Sequence, residues 1–183
     1  MAGLKFRVLL DTDNDSEIFR DILINDTDNF ESFYNSIVKA YQFSGGEMAS
    51  FYVSNDSWDK GFEISLMDMT YDDDDIDAPA STMKDAVIKN FLEEPDQKFI
   101  LVYDFMRMWI FLIELIGYEK EGPETPQVIL SVGMAPPEDS KNAEENENLF
   151  MGDIEEDEEG LGFNDYDDDY DEEDYNKYDE YDY

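Results

Sequence analysis

Three charged side chains stand in otherwise apolar stretches of the sequence and are the first candidates for chemistry: Arg20, Asp104 and Glu114. A buried charge is stable only when it is paired and hydrogen-bonded. We therefore expect these residues to pair with one another. They would form either a polar network that fixes the strand register or the lining of a small-ligand pocket, where burial would shift carboxyl pKa values for acid-base work.

The composition offers little for covalent or acid-base catalysis, because the chain has no histidine and no cysteine. The sequence also lacks a glycine-rich phosphate loop. Without these groups no pair of nucleophile and base can be assigned. We predict that the protein is not an enzyme.

The first acidic loop starts like a calcium-binding loop, with Asp11, Asp13 and Asp15 at positions 1, 3 and 5. Its sixth position is Ser16, where glycine is needed for the turn. Its twelfth position is Ile22, where a bidentate glutamate would be needed. We interpret this loop as a solvated hairpin turn.

A second acidic run covers residues 72–75 and Asp77. It is a weak alternative for a divalent cation, since a charge run in a loop is usually solvated. We predict no metal and no cofactor.

The charge distribution divides the 183 residues into two parts, with a total net charge of −37. Residues 1–137 carry 27 of the 49 acidic and 10 of the 12 basic residues, and they are rich in periodic apolar residues. Residues 138–183 carry the other 22 acids and have few apolar residues, so that charge repulsion acts within a Debye length of about 8 Å. We predict a folded domain over 1–137 and a disordered acidic tail over 138–183.

The tail also holds half of the tyrosines of the chain. Carboxylates set among aromatic rings can wrap a basic protein, because the acids meet Lys and Arg while the rings add cation-π contacts. The alternative is a tail that only keeps the protein soluble. The tyrosines predicted to bind a partner are Tyr166, Tyr170, Tyr175, Tyr178, Tyr181 and Tyr183.

Direct binding to nucleic acid is not expected, although Trp58 and Trp109 could in principle stack on bases. Nucleic-acid binding draws its affinity from Lys and Arg that neutralise phosphates, and both parts of this chain are negative. We expect the aromatic residues to belong to the core.

The periodicity of the first part predicts an α+β fold with the order ββαββαββ, which favours a mostly antiparallel sheet with two helices on one face. Strands are predicted over residues 4–10, 17–24, 48–53, 62–67, 98–105 and 108–118, with 128–130 at a sheet edge. The first helix is predicted between a capping box at Asp28 and Glu31 and a stop at Gly45-Gly46. The second is predicted from residue 81 or 82 to Leu92.

The N-terminal stretch lacks an apolar signal region, so export is not expected. The most apolar run, residues 108–116, contains Glu114 and is too short to span a membrane. We predict a cytoplasmic protein without a membrane segment.

Several short motifs in register with these elements resemble the plasmid pRiA4b ORF-3-like family, which occurs in bacterial genomes and on mobile elements. The resemblance covers most of residues 4–139. Its motifs here are Phe19-Arg20, Phe51, the two predicted helices, Tyr103-Asp104-Phe105 and Pro136-Pro137-Glu138-Asp139. It implies an α+β fold for this chain, and it implies little about activity.

The sequence departs from the family pattern directly after Tyr103-Asp104-Phe105. The family typically continues with Gly-Asp, an aromatic residue and a Glu-His pair, whereas residues 106–111 here read Met-Arg-Met-Trp-Ile-Phe. Ser140-Lys141 also replaces the usual Gly-Gly. If the family's polar cluster performs chemistry, this member is expected to have lost it.

Three functions remain open from the sequence. The first is a non-catalytic interaction protein whose acidic tail engages a basic protein partner or mimics nucleic acid. The second is a small-ligand binder or enzyme built on Arg20, Asp104 and Glu114. The third, implied only by the family's genomic setting, is an accessory factor in mobile-element DNA transactions.

Overall fold

The computed structural model describes residues 1–13, 15–68 and 82–142. Within these ranges the chain forms seven strands and one α-helix. The elements are β1 (Gly3–Leu10), β2 (Phe19–Asn25), α1 (Phe30–Tyr41), β3 (Ala49–Ser54), β4 (Glu63–Ser65), β5 (Lys98–Tyr103), β6 (Trp109–Glu119) and β7 (Gln127–Val132).

The seven strands form one sheet in the order β4-β3-β5-β6-β1-β2-β7. Neighbouring strands run antiparallel throughout this sheet. The predicted mostly antiparallel α+β fold is confirmed, including a strand at the sheet edge around residues 128–130. None of the described helices is long and apolar enough to cross a membrane.

The core lies between α1 and one face of the sheet. Helix α1 carries apolar residues at the i, i+3, i+4 and i+7 spacing of a single buried stripe. Phe33 of this stripe packs on Phe6 of β1, with ring centroids 4.9 Å apart. Tyr41, the last residue of α1, packs edge-on against Phe111 of β6, with ring centroids 4.9 Å apart. Trp109 and most of the phenylalanines therefore belong to the core as expected, whereas Trp58 is half-buried between β3 and β4 and lies outside the core.

The second predicted helix is wrong, because the described part of this segment contains only a short 3₁₀ turn, Ile88–Phe91. The backbone of this segment instead supplies hydrogen-bond acceptors to the first residues of α1. The carbonyl oxygens of Met83 and Ala86 accept from the N–H groups of Glu31 and Phe30, which have no acceptor within their own helix. The apolar residues whose spacing predicts a helix, among them Met83 and Ala86, are buried in the core, but they project from an irregular loop.

Both predicted ends of α1 differ by a few residues from the observed ones. The N-cap is Asn29, whose side-chain oxygen accepts from the N–H of Ser32 at 2.9 Å. The helix ends at Gln42, which is left-handed with φ of 60°, so the chain turns before Gly45. Phe43 is thereby directed into the core, where the centroid of its ring lies 5.2 Å from that of Trp109.

Candidate functional site

Two sequence motifs that lie far apart in the chain meet at the end of β5. The Tyr103 hydroxyl donates to Oε1 of Glu138 at 2.5 Å. Ser44, in the loop after α1, donates its backbone N–H to Oε2 at 2.7 Å and its hydroxyl to Oε1 at 2.9 Å. The Glu138 carboxylate therefore accepts three hydrogen bonds. It joins the sheet and the loop after α1 to residues 133–142, which follow β7 and which we call the C-terminal strap. We call Ser44, Tyr103 and Glu138 the strap junction.

The protonation states at the strap junction reinforce each other. Burial alone would raise the pKa of Glu138, but the hydrogen bonds from Tyr103 and Ser44 favour the ionised form and hold its pKa below the ordinary value. Burial, together with the bond to this carboxylate, raises the pKa of Tyr103. The phenol therefore stays a donor and the carboxylate stays an acceptor at neutral pH.

Three further contacts hold the same strap against the start of β6. Trp109 donates its indole N–H to the backbone oxygen of Glu138 at 3.1 Å. Lys141 donates its ammonium group to the backbone oxygen of Met108 at 2.6 Å and lies 5.4 Å from the centre of the Trp109 ring. The resemblance in the sequence places Lys141 where the family usually has glycine, so the two contacts of Lys141 belong to this chain's departure from that pattern.

Beside the strap lies an open cleft of about 300 Å³ between the β1–β2 turn and the C-terminal strap. Trp109, Ser140 and Lys141 line one side, and Asp11 and Asp13 line the other. The described residues contain no group of three or more acidic or histidine side chains arranged to hold a metal ion. The polar groups that line the cleft are two carboxylates, the hydroxyl-bearing residues Thr12 and Ser140, and a lysine already engaged with its own chain.

Arg20 lies on the helix side of the sheet, buried at the end of α1. Its Nη1 donates to the backbone oxygens of Phe19 and Val132 at 2.8 and 2.7 Å, and its guanidinium lies 4.8 Å from the Tyr41 ring centre. Its Nε points to the Ala40 oxygen at 3.4 Å. Carbonyl oxygens at a helix C-terminus carry partial negative charge, so Arg20 acts as a tie between α1, β2 and β7.

Asp104 and Glu114 occupy two other environments. Asp104 is buried at the β5–β6 turn with φ of 59°, where its carboxylate accepts from the backbone N–H groups of Met106 and Arg107 and from the Arg107 guanidinium. Glu114 of β6 lies opposite Arg7 in the register with β1. Its Oε1 lies 3.8 Å from the Lys98 ammonium. Because Arg20 pairs with Val8, it lies on the opposite face from Glu114. The structure therefore does not bring the three residues together.

Two groups of residues singled out in the sequence fall outside the described residues. They are Asp72 to Asp75, Asp77 and the tyrosines at 166, 170, 175, 178, 181 and 183. Asp11, Asp13 and Asp15 are described, and all three are exposed in the turn between β1 and β2.

Sequence reasoning alone missed the strap junction as a unit. Tyr103 and Glu138 belong to two separate motifs in the sequence, and no sequence pattern points to Ser44. The signal that could have joined them is chemical: a buried tyrosine at a strand end requires a polar partner, and Glu138 in the Pro-Pro-Glu-Asp motif offers a carboxylate.

The site and the fold together define an α+β protein with an antiparallel sheet and a C-terminal strap, which is hydrogen-bonded to the ends of β5 and β6 and to the loop after α1. The family model described as plasmid pRiA4b ORF-3-like protein matches residues 2–179, so the chain belongs to this family. The match runs beyond the residues 4–139 covered by the resemblance in the sequence.

A solved structure supports the fold. The chain is similar to the crystal structure of a protein of unknown function, MM3350, from Methanosarcina mazei Go1, with 19% identity and a TM-score of 0.61. The similarity covers 82% of this chain and 81% of that chain. None of the curated proteins matches the sequence at a significant level.

Proposed function

We propose that this protein is a non-catalytic acidic interaction protein of the cytoplasm, whose C-terminal segment engages a basic protein partner. The observation that carries the proposal is the excess of 49 acidic over 12 basic residues, concentrated after residue 137. Such a segment attracts Lys-rich and Arg-rich surfaces and repels nucleic acid. A partner that normally binds nucleic acid could then be held by mimicry of the phosphate charge.

The use of the basic residues within the domain supports this proposal. Six of the basic residues in the described part of the chain contact carboxylates or backbone oxygens of the same chain, so these charges are already engaged. Four of these contact carboxylates and two contact backbone oxygens. The carboxylate pairs are Lys5 with Glu119, Arg7 with Asp21, Lys98 with Asp56 and Arg107 with Asp104, and the other two are Arg20 and Lys141.

The strap junction supports a non-catalytic role. A general acid or base needs a pKa near the working pH and access to a substrate proton. The Glu138 carboxylate instead has a lowered pKa and three intramolecular donors. The separation of Arg20, Asp104 and Glu114 likewise removes the shared pocket on which the small-ligand alternative rests.

The test is affinity purification of the full chain in parallel at low and high salt. One variant has the acidic residues after position 142 changed to Asn and Gln, and a control has the exposed domain residues Glu93 and Glu94 changed to Gln. The salt-sensitive partners should be lost only from the first variant. Duplex DNA added as a competitor should release them if the segment mimics nucleic acid. Unchanged partners in the first variant would refute the proposal.

A further inference from the structure

The last strand of the sheet presents an unusual edge. β7 pairs with β2 on one side, and no described strand pairs with its other side. Its sequence, Gln-Val-Ile-Leu-Ser-Val, contains no charged residue and no proline. Val128, Ile129 and Leu130 are 44%, 46% and 44% exposed.

An edge strand of this kind is normally protected, because its unpaired N–H and C=O groups are a template for another strand. The opposite edge follows that rule, since β4 has only three residues and includes Glu63. β7 has six residues and none of the charged or proline safeguards. Its one irregularity is a bulge that leaves Ile129 without a partner on β2.

β7 is also well fixed, which prepares it for pairing. Its C-terminal end is tied to the core by the bond from Arg20 to the Val132 oxygen at 2.7 Å. Gly133, which follows, has φ of 75°, and a Cβ there would lie 2.7 Å from the Glu17 backbone oxygen. A strand held in place loses little conformational entropy when a partner strand is added.

The surroundings of β7 decide what kind of segment fits. Glu121 and Glu124 precede the strand and Glu17 lies past its other end, and all three are exposed. We propose that β7 binds an extended segment of a partner protein by strand addition, with apolar residues in the middle and Lys or Arg at both ends. This inference rests on the proposed function for the sign of the partner's charge.

A second copy of this chain is a poorer occupant than such a segment. Two β7 edges would bring together acidic flanks and two chains of net charge −37. Like charges opposed across a strand pair are destabilising. A basic segment gains attraction at the same positions and meets the same apolar centre.

The experiment uses the full chain and a synthetic peptide of about ten alternating Val and Thr residues with two lysines at each end, a length that matches β7 and its flanks. Binding is followed by fluorescence anisotropy, and its location by hydrogen exchange of the amides of Gln127–Val132. Three single variants are compared: Ile129→Lys, Ile129→Glu and Ile129→Thr. Ile129 is exposed, so each is expected to fold, and thermal unfolding verifies this.

The peptide should protect the β7 amides in the parent, in Ile129→Thr and in Ile129→Glu. Ile129→Lys should weaken binding by about tenfold or more, because it places a positive charge against a basic segment. A peptide with glutamates in place of the lysines should bind more weakly to the parent. Equal binding to Ile129→Lys, or protection at other amides only, would overturn the inference.

Two further outcomes would also overturn it. Protection of the β7 amides without peptide that grows with protein concentration would identify a second copy as the occupant. Protection without peptide that is independent of concentration would identify another segment of the same chain.

The acid-to-amide variant of residues after 142 separates this inference from the proposed function. It should lose the salt-sensitive partners yet keep peptide protection at β7. Retained partners with retained protection would contradict the proposed function alone, whereas lost partners with no protection in the parent would contradict the strand-addition site alone.

Discussion

The hydroxyl of Tyr103 donates to Oε1 of Glu138 across 2.5 Å, and this bond joins the end of β5 to a strap 35 residues further along the chain. The phenol also accepts the backbone N–H of Gly45 at 3.0 Å. One buried side chain thus connects the sheet, the loop after α1 and the strap. The corner of the domain that holds residues 138–142 depends on this connection.

Removal of either partner should destabilise the domain measurably. Tyr103→Phe leaves the Glu138 carboxylate and the Gly45 N–H with one partner fewer, which costs about 1–3 kcal/mol of unfolding free energy. Glu138→Gln should cost a similar amount, and the double variant should cost less than the sum because the two side chains share one bond. Denaturant unfolding of the four proteins measures this coupling, and strict additivity would contradict the bond.

The contribution of Glu138 should depend on pH in one direction. Its folded pKa is lowered, so its stabilisation is present above the unfolded value, roughly 4.3, and is lost as pH falls through the folded pKa. The gap in unfolding free energy between the parent and Glu138→Gln should therefore be constant above about pH 5 and shrink at lower pH. The exposed-residue variant Glu124→Gln is the control, and a gap that widens on acidification would contradict the assignment.

Arg20 should matter for geometry rather than for charge. Arg20→Lys keeps the positive charge, but its single nitrogen cannot reach the Ala40 oxygen of α1 and the Val132 oxygen of β7 together, so unfolding free energy should fall by about 1–3 kcal/mol. Amides near Val132 should also exchange faster. The exposed Lys89→Gln should change stability by less than about 0.5 kcal/mol. If Arg20→Lys behaved like this control, the tie between α1 and β7 would be refuted.

The buried tyrosines should resist ionisation until the domain opens. Burial raises the pKa of Tyr34 to about 12, and burial also raises the pKa of Tyr41, whose hydroxyl donates to the Val8 oxygen at 2.8 Å. Because the folded values exceed the unfolded value of roughly 10, stability is complete below that pH and is lost as pH rises.

A spectrophotometric titration checks this expectation. The last phenolate step should coincide with loss of the circular dichroism of the fold, and Tyr41→Phe should make that step smaller. Complete ionisation of all tyrosines before any unfolding would contradict the burial of these side chains.

The sheet and α1 could be predicted from the sequence because their apolar periodicities agree with the tertiary structure. The second helix could not, because the N–H of Ile88 donates to the Asp28 oxygen at 2.9 Å and the loop backbone is used to complete α1. Side-chain spacing does not report where backbone hydrogen bonds go.

The candidate site was predicted only in part. Arg20, Asp104 and Glu114 were expected to pair, yet each finds a partner close to its own strand or turn, which the sequence pattern does not encode. The resemblance to a family supplied Tyr103 and Glu138 as motif members. Their contact depends on how the strap returns to the sheet, which is a long-range feature that periodicity cannot give.

The most direct test of the central claim is the binding of full-length protein to poly-L-lysine across a range of salt concentrations. Electrostatic association falls steeply with salt in proportion to the charges engaged. The parent should bind tightly at low salt, and the variant with amides in place of the acids after residue 142 should bind at least about tenfold more weakly, with a shallower salt dependence. Equal affinities and equal salt dependences for the two proteins, or tight binding of the parent to duplex DNA at physiological ionic strength, would contradict the account.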